Sequence, residues 1–189
     1  MRTSAALLVL FALAGCGGSD TPSEEYPAAA CPVDDAALCG RAAAAADALA
    51  AGDVDRIVEL SYADEFRCDQ LPAELFPDCK PGRILNGHPA TDGEAEIRIL
   101  TEEAYRSRLT GLVPAEVRGV GTCGPDDPER RSYHLAFAAG ERLGSIELVR
   151  REGRWWVGML FDDTEEGWKR QFSDPLTELA CGNVETWGT

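Results

Sequence analysis

The most regular hydrophobic pattern in the chain lies in residues 131–163, where apolar side chains recur at every second position. Tyr133, Leu135 and Phe137 alternate with His134 and Ala136. Ile146 and Leu148 alternate with Glu147 and Val149. Trp155, Val157, Met159 and Phe161 alternate with Trp156, Gly158 and Leu160. A period of two is that of strands with one face on a core. Turn residues separate the runs at Ala139-Gly140-Glu141 and at Glu152-Gly153. The pattern therefore predicts three consecutive antiparallel strands, against which the rest of the chain packs.

Upstream the period lengthens. Leu38, Ala42, Ala45 and Leu49 recur at helical spacing, with Asp34 or Asp35 placed to cap a helix that runs to about Ala51. The many alanines favour helix and permit close approach to a sheet. Gly52 is a natural stop and Asp53 a natural cap for a short second helix carrying Val54, Ile57, Val58 and Leu60. Residues 66–87 read as an irregular surface segment, broken by Pro72, Pro77 and Pro81 and bracketed by Cys68 and Cys79, with His88 following in a loop beside Pro89. Residues 97–100 form a short strand. Thr101 caps a helix to about Leu112, with Glu102 and Glu103 in its first turn, where the helix dipole favours acids. Residues 117–122 form a further strand and residues 124–128 a turn. After Phe161 the chain becomes polar, with a short helix over 164–172 and a tail that wraps the surface. The fold class expected is α+β: N-terminal helices packed on a curved antiparallel sheet, braced by disulfides, in one domain over residues 31–189. A domain of this size can bury roughly 70% of its unfolded-chain surface.

Residues 1–30 carry a different message. Arg2 precedes an apolar run over residues 5–14, which has the length of a signal-peptide core and is too short to span a membrane stably. It ends in Leu13-Ala14-Gly15-Cys16, which resembles the lipobox of bacterial lipoproteins. The resemblance implies that residues 1–15 are removed and that Cys16 is acylated, anchoring the protein in the cell membrane or outer membrane with its domain facing the periplasm or the exterior. Each buried methylene of an acyl chain contributes about 0.8 kcal/mol, so two or three chains hold firmly. Residues 16–30, rich in Gly, Ser, Thr, Pro and acid, read as a flexible tether. The formal net charge is −15, and loss of residues 1–15 removes one arginine and no acid. So acidic a chain is not drawn to nucleic acid or to an anionic lipid face by its overall field.

Of seven cysteines, Cys31, Cys39, Cys68, Cys79, Cys123 and Cys181 remain once Cys16 is set aside. An even number in an exported domain points to disulfides. Sequence does not select the pairing; the expectation is Cys31–Cys39, Cys68–Cys79 and Cys123–Cys181. Zinc is the competing reading, but there is no CxxC pair and the chain has only two histidines. No metal or other cofactor is expected.

The order of elements, with the Ala51-Gly52-Asp53-Val54 joint and the Glu152-Gly153-Arg154-Trp155 turn, resembles the nuclear-transport-factor-like cone fold over residues 33–163. That fold is shared by ketosteroid isomerases, polyketide-cyclase-like proteins and many exported proteins. The resemblance implies a sheet curved around the long helix, a pocket at its open end, and a homodimer through the sheet as one option. The disulfide segment over 68–79 departs from compact members. Because the fold hosts enzymes and non-enzymes alike, function has to be argued from the site.

The chemistry-bearing residues are few. His134 could act as a base if a carboxylate or hydroxyl lay near it, but no sequence spacing supplies one, which favours a packed histidine. Asp162, with Asp163 at the end of the last strand, could be a pocket-rim base, although acids followed by Glu165 and Glu166 suit a solvated turn. Tyr133 completes the catalytic candidates. Against an isomerase, the first helix holds no tyrosine for an oxyanion. Trp155 and Trp156 point to opposite faces, so one fills the core and the other could line a ligand pocket. Asp126, Asp127 and Glu129 lack the full pattern of a calcium loop. The reading is a membrane-anchored binding domain for an envelope protein or a small apolar ligand. The alternatives are a small isomerase- or cyclase-type enzyme using His134, Tyr133 and Asp162, and a spacer with a filled cone.

Overall fold

The computed structural model describes residues 34–91, 96–123, 132–164, 166 and 184–186, with side chains described up to residue 120 in the second of these segments and not for 184–186. The signal segment with Cys16, the tether, Cys31, Cys181, the 124–128 turn with Asp126, Asp127 and Glu129, and the helix expected over 164–172 fall outside the described residues or their side chains.

Helix α1 spans Ala36–Ala51, α2 Val54–Leu60 and α3 Glu102–Thr110. Their starts obey local chemistry. Asp35 Oδ1 accepts from the N–H groups of Ala37 at 3.0 Å and Leu38 at 2.9 Å, and Asp53 Oδ1 accepts from Arg56 N–H at 2.9 Å. Thr101 Oγ1 accepts from Ala104 N–H at 3.3 Å. Each satisfies an amide that the first turn leaves without a partner. Gly52 ends α1 in the left-handed conformation at φ 74°, which costs a residue with a Cβ far more.

The strands are β1 Asp64–Arg67, β2 Ile84–Thr91, β3 Ile97–Leu100, β4 Glu116–Cys123, β5 Ser132–Ala139, β6 Arg142–Arg151, β7 Arg154–Thr164 and β8 Val184–Thr186. They form one sheet in the order β1-β2-β7-β6-β5-β4-β8, with β3 branching from β2. All pairings are antiparallel except β2 with β7, where Ala90 lies opposite Leu160 and Thr91 opposite Phe161. The three helices and this sheet make an α+β fold, with the predicted meander β5-β6-β7 at its centre.

The inner sheet face meets α1 through Val120, Leu135, Phe137, Ile146, Leu148, Val157 and Leu160, all buried. The helix offers Leu38, Ala42, Ala45, Ala46, Ala48 and Leu49. Four of these six are alanines, so α1 sits close to the strands and its two leucines do most of the filling. Each fully buried leucine contributes about 1.5–3 kcal/mol. Tyr105 and Leu109 of α3 and Ile57 and Leu60 of α2 close the core.

Two expectations are corrected here. Residues 66–87 are not wholly irregular: β1 and the start of β2 flank the loop, so His88 and Pro89 lie in a strand. The loop itself carries the Cys68–Cys79 disulfide, and Cys68, Phe76 and Cys79 form a small second core against Leu71, Leu85, Ile97 and Ile99. Closing so short a loop contributes on the order of 3 kcal/mol through the unfolded chain. Cys39 is also disulfide-bonded, to a partner whose side chain lies outside the described residues.

The second correction concerns β7. Ile146 pairs with Leu160 and Leu148 with Val157, so two steps along β6 match three along β7. This is a β-bulge at Gly158 and Met159, opposite Glu147. It breaks the alternation. Trp155 and Val157 face the core as expected, but beyond the bulge Leu160 takes that face and Phe161 moves to the other one, where it packs near Ala136 and Leu143. Both faces of β5 are consequently buried, His134 and Ala136 included.

Glycine substitutions test this packing. Gly40 is exposed in α1 with nothing within 4 Å of an added Cβ, whereas a Cβ on Gly144 would stand 2.3 Å from Phe137 Cζ. Gly40→Ala should stabilise by up to about 1 kcal/mol and Gly144→Ala should destabilise by about 1–3 kcal/mol in urea unfolding. Equal effects would mean that the Phe137 ring does not lie over Gly144.

Candidate functional site

The bulge that redirects Phe161 also lies in the wall of a cavity. On the outer sheet face, Tyr62, Asp64, Phe66, Phe76, Pro89, Glu147, Val149, Arg151, Gly158 and Met159 line a half-open cavity of about 130 Å³. β1 supplies Asp64 and Phe66 as alternate residues of one face. The disulfide loop supplies Phe76. β6 supplies Glu147, Val149 and Arg151, again alternate residues. Gly158 is required: a Cβ there would come within 2.8 Å of Val149 Cγ1 and would displace the cavity wall.

Glu147 is the chemical centre of this wall. Burial pushes its carboxyl above the ordinary glutamate range, while Arg151 and a hydrogen bond from the Met159 backbone pull the other way. Met159 sits in the bulge directly opposite Glu147. A raised carboxyl in an apolar hollow is a feature of functional sites. Sequence reading passed over Glu147 because alternation made it an outward, solvated acid.

The three catalytic candidates do not come together. Tyr133 is on the inner face, edge-on to Trp155 with ring centroids 5.5 Å apart. His134 is on the outer face, 8% exposed, tilted against Phe161 at 5.5 Å, with Nε2 3.2 Å from Ser132 Oγ. Burial pushes its pKa down to about 4, so it is neutral near pH 7, and its Nδ1 has no partner. Asp162 is on the inner face with 1% exposure, which corrects the expected solvated turn. Arg108 places Nε 2.5 Å from Oδ1 and also donates to the Thr91 carbonyl at 2.8 Å, and Arg142 holds Oδ2. With both oxygens engaged by guanidinium groups, Asp162 is an anchor joining α3 to β6 and β7.

Neither tryptophan lines the cavity. Trp155 donates from Nε1 to Asp35 Oδ2 at 3.0 Å, tying β7 to the start of α1. Trp156 reaches the cavity only through Tyr62, 5.8 Å away between ring centroids, with Arg41 stacked 5.3 Å from its own centroid. Its Nε1 is buried without a partner.

A second polar group was missed at sequence level. His88, 3% exposed, stacks on Tyr105 at 4.3 Å and 9°, and Tyr105 OH lies 3.2 Å from Ser61 Oγ. Burial lowers the His88 pKa and raises that of Tyr105 to about 12. Ser61 Oγ donates to the Ile57 carbonyl at 2.7 Å, so the tyrosine hydroxyl is the donor to Ser61. The group is enclosed in the core, and none of its members lines the cavity, which marks it as structural. Among the described residues no three His, Cys, Asp or Glu side chains are arranged to hold a metal ion. The sequence matches no protein-family model and no curated protein.

The buried titratable groups can be tested in turn. His134 has a folded pKa below its unfolded value, so the unfolded chain binds the extra proton and stability falls as pH drops from about 6.5 to about 4, by up to about 3 kcal/mol. His134→Leu should flatten this part of the stability–pH curve; an unchanged slope would mean that His134 is not the group that titrates. Asp162→Asn should cost about 2–4 kcal/mol in urea unfolding, since Arg108 and Arg142 lose their counter-charge. A loss under 1 kcal/mol would contradict the anchoring role.

Proposed function

We propose that the chain is a lipid-anchored binding domain of the bacterial cell envelope, and that the outer-face cavity is where it binds. One observation carries the binding reading: an apolar hollow with a desolvated carboxylate at its centre, held open by a glycine at a bulge. Packing alone would have filled such a hollow, since empty apolar space forfeits contacts. The anchor rests on Leu13-Ala14-Gly15-Cys16 and on the tether that follows. The order of two helices, mixed region and meander supports the resemblance to the cone fold, although the cavity lies on the sheet face away from α1 and not between them.

The isomerase- or cyclase-type alternative needs a base and a donor in one pocket. His134 and Tyr133 lie on opposite faces, and Asp162 is occupied, which weighs against it. The spacer reading stands only if the outer cavity is idle.

The test is a native mass spectrum of the full chain released from membranes in mild detergent. The expected result is a small-molecule adduct that leaves on denaturation and is lost in Val149→Trp, which fills the cavity. Cys16→Ser should move the protein from the detergent to the aqueous phase. An apo mass for both wild type and Val149→Trp would overturn the binding reading, and an unmoved Cys16→Ser would overturn the anchor.

A further inference from the structure

We infer that the outer-face cavity recognises an organic cation with a small apolar head, such as an alkylated ammonium group. The inference rests on the binding reading above and names its ligand class.

Three features of the wall point to this chemistry. First, the wall holds three aromatic residues, Tyr62, Phe66 and Phe76. Aromatic faces attract cations through the ring quadrupole, and the attraction grows when the site excludes water. Second, two carboxylates, Glu147 and Asp64, share the wall with one guanidinium, Arg151, so it carries one negative charge in excess. An anion would meet Glu147 in a poorly solvated place and be repelled. A neutral ligand would add no counter-charge to a carboxylate that Arg151 compensates only in part, which is costly in an apolar setting. Third, the size is restrictive. A cavity of about 130 Å³ takes one branched head group, well short of the roughly 300 Å³ or more that drug-sized ligands occupy.

Arg151 makes the inference sharp. It is exposed, and its charge acts on Glu147. A ligand cation has to share Glu147 with it or displace it. Removing Arg151 should therefore strengthen binding of a cation. It should leave a neutral occupant unaffected and relieve nothing for an anion, which would lose an attraction.

The experiment uses the full chain in detergent and three probes of one shape: choline, the neutral 3,3-dimethylbutan-1-ol and the anionic 3,3-dimethylbutyrate. Binding is measured by calorimetry and located by the Met159 methyl resonance. Choline should bind at least tenfold more tightly than either isostere and shift the Met159 signal. Glu147→Gln should weaken choline at least tenfold, and Arg151→Gln should tighten it about threefold. Asp64→Asn serves as a second charge variant should Glu147→Gln fail to fold, and should weaken choline about threefold. Equal binding of choline and the alcohol, at the Met159 site, would overturn the cation inference while leaving the binding reading intact. Preference for the butyrate would do the same. No binding by any probe, with an unchanged Met159 signal, would overturn this inference and, together with an apo native mass, the binding reading as well.

Discussion

The extra residue in β7 is the constraint on which most of the rest depends. With strict alternation, Met159 and Phe161 would share the inner face with Val157, and Asp162 would face outward. The bulge at Gly158 and Met159 reverses that order beyond Val157. Leu160 then fills the core, and Asp162 arrives beneath α3 within reach of Arg108 and Arg142. On the outer face the same bulge places Gly158 and Met159 in the cavity wall beside Glu147. One register shift thus sets both the buried ion cluster and the candidate site.

Buried polarity is distributed unequally around the sheet. Asp162 is fully compensated, in keeping with the cost of an unpaired charge in the interior. His134 is handled differently: it stays neutral, bonded through one nitrogen to Ser132. Asp35 joins local and tertiary roles, since one oxygen caps α1 and the other receives Trp155 Nε1. Desolvation would raise its pKa, but the hydrogen bonds from Leu38, Trp155 and Ala37 outweigh that and hold it below the ordinary aspartate range. Its contribution is present above the unfolded pKa and is lost as pH falls through the folded one. Glu147 alone combines desolvation with incomplete compensation and an open hollow, which is why the functional argument settles on it.

The Cys68–Cys79 loop links stability to that hollow. Phe76 belongs both to the small core around the disulfide and to the cavity wall. Ile97 N–H donates to the Leu75 carbonyl at 2.6 Å, so the loop is stitched to β3 as well as closed on itself. A segment that is merely irregular would leave one wall of the site undefined.

Sequence by itself determined the elements whose signals are local. The caps Asp35, Asp53 and Thr101, the stop at Gly52 and the period-two runs of the meander were legible because capping, left-handed glycine and alternation act within a few residues. So was the α+β class, while the proposed location rests on the resemblance of Leu13-Ala14-Gly15-Cys16 to a lipobox. The loop disulfide was expected from the pairing of two near cysteines. Tertiary structure decided the faces. A bulge inverts the meaning of every later residue, and Gly158 gives no sign in isolation that it marks one. That is why Asp162 read as solvated and proved buried; Glu147, ahead of the bulge, keeps its outward face and is half-buried because residues of β1 and the disulfide loop share the cavity wall with it. His88 was hidden for a related reason: a strand containing Pro89 does not announce itself by propensity, and its pairing with β1, β3 and β7 establishes it. Local rules place a residue in an element, but whether its charge is worth anything depends on what the opposite strand and the next loop bring over it.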